Sequence, residues 1–466
     1  MAKFQAKNLA GLNLQLNPLS IAPEEMIRCV NVESYTYGAK KKRCGYTTYL
    51  GTPDTSQVNS LFSWTKNDGT TLFNYRASGT KLYYSTQGTG AWTVCGNGTI
   101  ASGAHVMHTV LDNTLMICDG AGSTRHSTNG TSFTNTTLAP VAVDLVEYQN
   151  RIYAAGTVSN LFYSTFGTPT DWSTDSSSLT IPGAGKLSNS IKAADRVVTI
   201  KNSGLLHRWD GDSLLDLASN LGYSSPYSID QSEGYYFGLN RLGVFGFEGA
   251  RPKILSNKVQ KLIYNDDGNG IAGTTFDNAA GGVHKYDYYL SIGTVTDDVT
   301  NVQIADAILK YNFQLNEWST YKYAHSPTAF HSFKDADSVQ QFIFGNASGQ
   351  CYKLSGTATS DNGMAIEAEM IYVFHGGTFL DKKFNWIRAL FNPGCQAKIA
   401  VAVTDTFIKG AKKWKDLGSV SSGVLEVRFP PDVSRGKLLF IKIYEASANT
   451  RFEFYGYELD FDFIPE

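Results

Sequence analysis

The sequence predicts an all-β chain: an extended amino-terminal arm, a β-propeller of about seven blades, and a carboxy-terminal β-sandwich. Three observations predict it. Tyr, Phe, Thr, Val, Ser and Gly are abundant, while Ala/Leu/Glu/Lys runs of helical period are nearly absent. An apolar strand, a Gly/Asn turn, an aromatic strand and a Ser-Thr or Asp-Gly turn recur about every 40 residues, the length of a four-stranded blade. From about residue 365 the strands lengthen and alternate with period two.

The first segment, residues 1–50, reads as an arm followed by a strand. Asn8-Leu9-Ala10-Gly11-Leu12-Asn13, then Pro18, then Arg28-Cys29-Val30-Asn31, lead into Gly38-Ala39-Lys40-Lys41-Lys42-Arg43-Cys44-Gly45. A segment with so little core of its own is expected to order when laid on neighbours. Gly45 is expected to make a bend, and Tyr46-Thr47-Thr48-Tyr49-Leu50 is placed to complete the last blade with a strand from the other end of the chain.

Residues 51–360 carry the repeat. Its clearest copies are Leu82-Tyr83-Tyr84-Ser85-Thr86-Gln87-Gly88 with Trp92, Arg125-His126-Ser127-Thr128-Asn129-Gly130 with Phe133, and Leu161-Phe162-Tyr163-Ser164-Thr165-Phe166-Gly167 with Trp172. Weaker copies follow at Trp209, Phe247, Tyr311 with Trp318, and Tyr352, which gives seven units, with six or eight blades as the alternatives. One twisted sheet cannot bury both faces alone, whereas a ring of blades stacks each face on its neighbours. The unit before Tyr311 is longer by roughly twenty residues, and the polar stretches Asn265–Gly270 and Thr294–Asp298 are expected to be loops on a propeller face. After a polar linker at 357–363, residues 361–466 hold five or more half-buried strands that suit a sandwich.

Forty basic against 42 acidic residues, a formal charge of −2, provide no general attraction to nucleic acid. No run of roughly 18 apolar residues is present, so no membrane insertion is expected. The six cysteines have neither Cys-x-x-Cys nor matching His spacing and read as reduced core thiols, with a Cys29–Cys44 pair as the alternative.

The candidate constellations are sparse, and no cofactor or metal is expected. The Ser85-to-Trp92 spacing is similar to the Asp-box turns of sialidase-type propellers, in which the motif is a folding device. A sialidase-like glycosidase would also need an arginine cluster, and Arg76, Arg125, Arg151, Arg196, Arg208, Arg241 and Arg251 are scattered. Asp266-Asp267, Asp297-Asp298, Asp210-Gly211-Asp212 and Asp460-Phe461-Asp462 lack the ligand intervals of a calcium loop and read as solvated turns. His105 and His108 are expected on opposite faces of one strand. The basic run Lys40-Lys41-Lys42-Arg43 reads as a turn whose charges meet acidic groups of a neighbouring subunit.

The order Asn8-Leu9-Ala10-Gly11, Pro18, Asn31, Gly38 and Lys42-Arg43-Cys44-Gly45 resembles the amino-terminal arm of bacteriophage tail nozzle proteins, with Leu12 standing where a second Gly is usual and Cys44 where Pro is usual. The resemblance covers about a tenth of the chain. It implies a virion structural protein assembled in the host cytoplasm, in a homo-hexameric ring below a portal or adaptor ring. The lumen of that ring would retain genomic DNA and conduct it at ejection without binding it specifically. On this reading Asn8, Gly11, Pro18, Asn31, Lys42 and Arg43 are the interface residues. The alternative is a tail-tip or head-fibre protein that recognises a host glycan, with Tyr235-Tyr236 or Tyr288-Tyr289 stacking on sugar rings.

Overall fold

The structure, a computed structural model, describes residues 2–15, 20–34, 38–51, 54–218, 225–264, 270–271, 273–297, 301–378, 380–406, 412–420 and 422–464. Strands make up 54% and helix 4%, which settles the all-β class. The central body is a β-propeller. Five four-stranded antiparallel sheets follow one another over residues 58–99, 107–135, 142–180, 187–218 and 230–254, each with its strands in chain order. A sixth comprises Pro327–Lys334, Gln340–Asn346 and Cys351–Leu354, and is completed by Tyr46–Thr48, antiparallel to Cys351–Leu354 with Tyr352 opposite Thr48. The ring is thus closed by a strand from the amino-terminal segment, as the sequence predicts for residues 46–50. Val58–Thr65 lies beside both Met107–Leu111 and Pro327–Lys334.

Blade-to-blade burial holds the ring together. Phe62, Tyr75 and Leu82 of the first sheet share one core with Leu115, Ile117 and Phe133 of the second. Burying each such side chain contributes about 1.5–3 kcal/mol. The repeated serines tie the turns: Ser127 Oγ accepts from the Gly130 amide at 2.9 Å, and Ser164 Oγ from the Ile152 amide at 3.0 Å. Trp92, Phe133 and Trp172, which follow those turns, are all buried.

Between the fifth sheet and the closing one stands a run of four strands, Gly281–His284, Asp287–Thr296, Gln303–Asn312 and Glu317–Lys322. This run does not end at its fourth strand. Val30 of β2 (Met26–Val30) pairs in parallel with Thr320, and β2 pairs antiparallel with Ala368–Phe374. The sheet continues through Leu438–Glu445 and Lys398–Thr404 to Lys415–Ser419 and reaches nine strands. A second large sheet joins β3 (Val32–Ser34), β4 (Lys40–Lys42), Glu453–Phe463, Lys382–Phe391 and Val424–Arg428, with Ala2–Ala6 alongside Glu453–Phe463. The two large sheets share a core: Tyr372 meets Phe454 and Tyr457 at ring distances of 6.1 and 5.8 Å, and Phe374 meets Phe461 at 5.1 Å.

Three expectations are corrected. The first fifty residues are not a free arm, because Leu9, Leu12, Ile27 and Val32 are buried in the chain's own largest core. The boundary at 360/361 falls inside the closing sheet, to which Ser360–Asp361 and Met364–Ala365 belong. The extra length before Tyr311 is partly regular: Gln260–Ile263 and Gly273–Asp277 are helical, and Thr294–Thr296 ends a ten-residue strand, while 265–269 lie outside the described residues. The six cysteines are free, as the sequence predicts, and the alternative Cys29–Cys44 pair is not formed: their sulfurs approach the Val32 and Gly356 carbonyls at 3.4 and 3.3 Å.

Candidate functional site: a charged seam

Alternation along β4 decides which bases turn inward. Lys40 and Lys42 share one face of the strand and are fully buried, while Lys41 is half-buried. Burying a charge demands a partner and satisfied donors. Lys42 Nζ donates to Glu445 Oε2 at 2.7 Å and to the Ser447 and Thr450 carbonyls at 2.5 and 3.2 Å, using all three of its protons. Lys40 Nζ donates to Glu317 Oε2 and Ser34 Oγ, each at 2.7 Å. Burial pulls both ammonium groups down, opposed by their carboxylates.

Arg43 is the most completely engaged group. Its Nη1 and Nη2 form a two-pronged pair with Asp361 at 2.7 and 2.6 Å, Nε donates to Asn31 Oδ1 at 2.8 Å, and the Cys44 and Lys322 carbonyls take the remaining protons at 3.0 and 2.9 Å. All five donors are used. The guanidinium lies 4.5 Å from the centre of the Tyr323 ring. Burial opposes its charge, but the hydrogen-bonded Asp361 raises its pKa overall.

Asn31 is the hub that aligns these partners. It sits at φ +56°, a left-handed conformation that Asn tolerates better than most residues. Its Oδ1 also accepts from the Lys322 amide at 2.8 Å, its Nδ2 donates to the Glu367 carbonyl at 2.7 Å, and its own amide donates to the Thr320 carbonyl at 2.8 Å. One side chain therefore ties together the strand Glu317–Lys322, the base of the carboxy-terminal sheets and Arg43.

Around this hub the pairs continue. Glu33 accepts from Lys41 and Lys310, both at 3.3 Å, and from the Tyr321 hydroxyl at 2.8 Å; Lys310 also meets Asp287 at 3.0 Å. Burial raises the Glu33 pKa, yet Lys310 and Lys41 outweigh it and hold the carboxyl below its ordinary value. Lys310 is held above its ordinary value by Glu33 and Asp287 in spite of burial. Arg28 pairs with Asp297 at 2.6 Å and Glu369 at 3.2 Å. Asp297 is thus a buried ion-pair partner rather than part of a solvated turn.

The sequence-predicted interface residues divide. Gly11, Asn31, Lys42 and Arg43 converge on the seam, and Asn8 is exposed at its edge. Pro18 lies outside the described residues. Gly11 is required by close approach, since a Cβ there would stand 2.9 Å from Glu317 Cβ and 3.0 Å from the Trp318 backbone. Gly45 is required for the same reason rather than for a bend, because a Cβ would lie 1.9 Å from the Ser360 carbonyl oxygen. Lys42 and Arg43 meet acids of their own chain instead of a neighbouring subunit, because those acids seal both side chains from solvent. Sequence reasoning missed Asp361, Glu445 and Glu317, which lie 277–403 positions away and carry no local signal.

Elsewhere, His105 precedes the strand Met107–Leu111 that holds His108, and both line a cavity of about 180 Å³ with His331 and Asp230, rather than facing opposite ways from one strand. Burial lowers both histidines to about 4. Asp210 accepts from the Asp212 and Ser213 amides at 3.1 and 2.8 Å, and Asp460 and Asp462 accept from Asn385 at 2.7 and 3.0 Å; Asp460 is buried. Asp266, Asp267 and Asp298 lie outside the described residues. Arg76, Arg125 and Arg151 pair within separate blades, with Asp54, Asp119 and Asp175. Tyr236, Tyr288 and Tyr289 are buried, whereas Tyr235 lines a cleft of about 810 Å³. Among the described residues no group of three or more His, Cys, Asp or Glu is placed to hold a metal.

No protein-family model matches this chain, and no curated protein matches it. Among solved structures, it is similar to a computationally designed protein, Ika8, at 11% identity and a TM-score of 0.38, covering 66% of this chain and 99% of that one. It is also similar to YCF48 from Cyanidioschyzon merolae, at 10% identity and a TM-score of 0.43 over 66% and 98% of the two chains. A third is BBS1N in complex with ARL6DN, at 9% identity and a TM-score of 0.43 over 68% and 99%.

Proposed function

We propose that this chain is a structural component of a tailed-phage virion that assembles with copies of itself into a ring in the tail. Such a ring would sit below the portal or adaptor, retaining packaged DNA and conducting it during ejection. One observation carries the reading: Gly11, Asn31, Lys42, Arg43 and Gly45, which carry the nozzle resemblance in sequence, form one connected device at the junction of propeller and carboxy-terminal sheets. A motif that couples two bodies rigidly suits a part that must bear load without catalysis. On this reading the run 281–322 counts as a seventh blade whose outer strand is shared, and the two large sheets form a β-sandwich built on it.

The first forty residues contribute strands to both large sheets, and exposed apolar residues elsewhere add candidate ring contacts. Leu138, Phe166 and Val158, at 71%, 60% and 58% exposure, stand on and beside the second and third propeller sheets and are the candidate lateral contacts. A ring built from a chain of −2 charge would carry no strong hold on DNA. Native mass spectrometry of the full chain tests the proposal. A sixfold mass that falls to the monomer in Phe166→Glu or Leu138→Glu is expected; a monomer or trimer at every concentration overturns it.

A further inference from the structure

A cleft lies between the fifth propeller sheet and the hairpin of strands Gln303–Asn312 and Glu317–Lys322, with a volume of about 810 Å³. That is within the range of sites that enclose small organic ligands, ~300–1,000 Å³. Its walls are aromatic in two layers. Tyr235 and Phe313 are half-buried at the surface of the cleft, and Phe237, Tyr311 and Trp318 lie buried behind them. Phe313 stacks on Phe237 at 5.2 Å, Tyr235 leans on Phe237 at 5.0 Å, and Tyr311 stacks on Trp318 at 4.6 Å. The Trp318 indole is held by its Nε1 donating to the Leu255 carbonyl at 3.3 Å. Tyr286, 55% exposed, extends the strip outward and meets Phe313 edge-on at 6.1 Å. Two half-buried rings, Tyr235 and Phe313, therefore line the cleft on a packed aromatic platform.

The rim is polar and close to neutral. Gln15, Ser232, Asn257 and Asn316 offer amides and a hydroxyl, and the Tyr311 hydroxyl holds the Asn316 side chain at 2.9 Å. Lys258 is neutralised by Glu25 at 2.9 Å, and the other two rim charges, Lys253 and Glu233, have opposite signs. A purely apolar ligand would leave these amides facing it unpaired, and a charged one would find no net counter-charge. Flat apolar faces edged by hydroxyls describe a pyranose ring, whose C–H face stacks on an aromatic while its hydroxyls pair with amides.

We infer that this cleft is a carbohydrate-binding site for a short neutral oligosaccharide, with Tyr235 and Phe313 as the stacking platform. The site is independent of the ring, since it lies within one chain and uses none of the seam residues except through the buried strand Glu317–Lys322. It also locates recognition at Tyr235 alone among the four tyrosines that the sequence suggests.

A glycan array probed with the full chain, followed by titration of the strongest glycan by isothermal calorimetry, tests the inference. Binding of at least one neutral oligosaccharide is expected, weakened about tenfold or more in Tyr235→Ala and in Phe313→Ala. Val339→Ala, at an exposed position outside the cleft, should bind as the wild type. Circular dichroism confirms that each variant is folded, and wild-type titration with the exposed-residue variant Asn257→Ala serves if either aromatic variant is not; a loss of affinity is expected there too. No glycan above background, unchanged affinity in the folded variants, or uptake of an apolar dye in the absence of any glycan signal would overturn it.

Discussion

The propeller sheets and the seam solve the same problem in opposite ways. Each of the five four-stranded sheets is completed by strands adjacent in sequence, most of its buried side chains are apolar, and a buried ion pair such as Arg125–Asp119 stays within one sheet. The seam gathers residues up to 403 positions apart and buries cations, each against a carboxylate. The contrast extends to single charges. In the third sheet Asp144 is buried with only uncharged donors, the Leu145 and Ser190 amides at 2.8 Å and Asn189, so burial pushes it up to about 7. In the seam Glu33, part-buried with its side chain 16% exposed, is held down by two lysines. Burial alone does not decide whether a carboxyl is charged; the partner does.

Breaking one seam pair should have the largest effect. Lys42→Met leaves Glu445 buried and unpaired and should destabilise the chain by about 3–5 kcal/mol, read from the denaturation midpoint. Adding Glu445→Leu should recover most of that loss, because two apolar groups leave no charge behind. A blade acid should respond to pH in the other direction from a seam acid. The Asp144 contribution is fully present below about pH 4 and lost as pH rises to about 7, since its folded pKa is raised; that of Glu33 is present above its ordinary pKa and lost as pH falls through its lowered one. The melting temperature of Asp144→Asn should therefore gain on the wild type between pH 4 and 7. Parallel curves would show that Asp144 is not the titrating group.

A smaller and more local effect is expected inside a blade. Ile152→Val, at a fully buried position of the third sheet, should cost about 0.5–1.5 kcal/mol and leave hydrogen exchange in the carboxy-terminal sheets unchanged. Smallest of all, Arg388→Ala removes an exposed pair with Glu426 at 3.8 Å and should change stability by less than about 0.5 kcal/mol. A larger loss there would mean that surface and seam pairs do not differ as described.

The same contrast explains what could be read from the sequence. The blades were legible because turn serines, aromatic strands and spacing are local signals, and the closing role of Tyr46–Thr48 followed from its position ahead of the repeats. The seam was not, because a run of four bases reads as a turn awaiting a neighbouring subunit's acids until Glu317, Asp361 and Glu445 are brought to it from hundreds of residues away in the same chain. In the cleft, Tyr235 and Tyr236 had to face opposite sides of one strand, but only the neighbouring sheet decides which side is open. The helical excursion before residue 281 was hidden by short segments, four and five residues long, that show no helical period.

The claim at the centre of this account is that the amino-terminal segment locks propeller and carboxy-terminal sheets into one cooperative body, with Arg43 as its keystone. Differential scanning calorimetry of the wild type and of Arg43→Met measures it directly. A single transition in the wild type that splits into two in the variant is predicted; a variant that still melts in one transition at the wild-type temperature would contradict it.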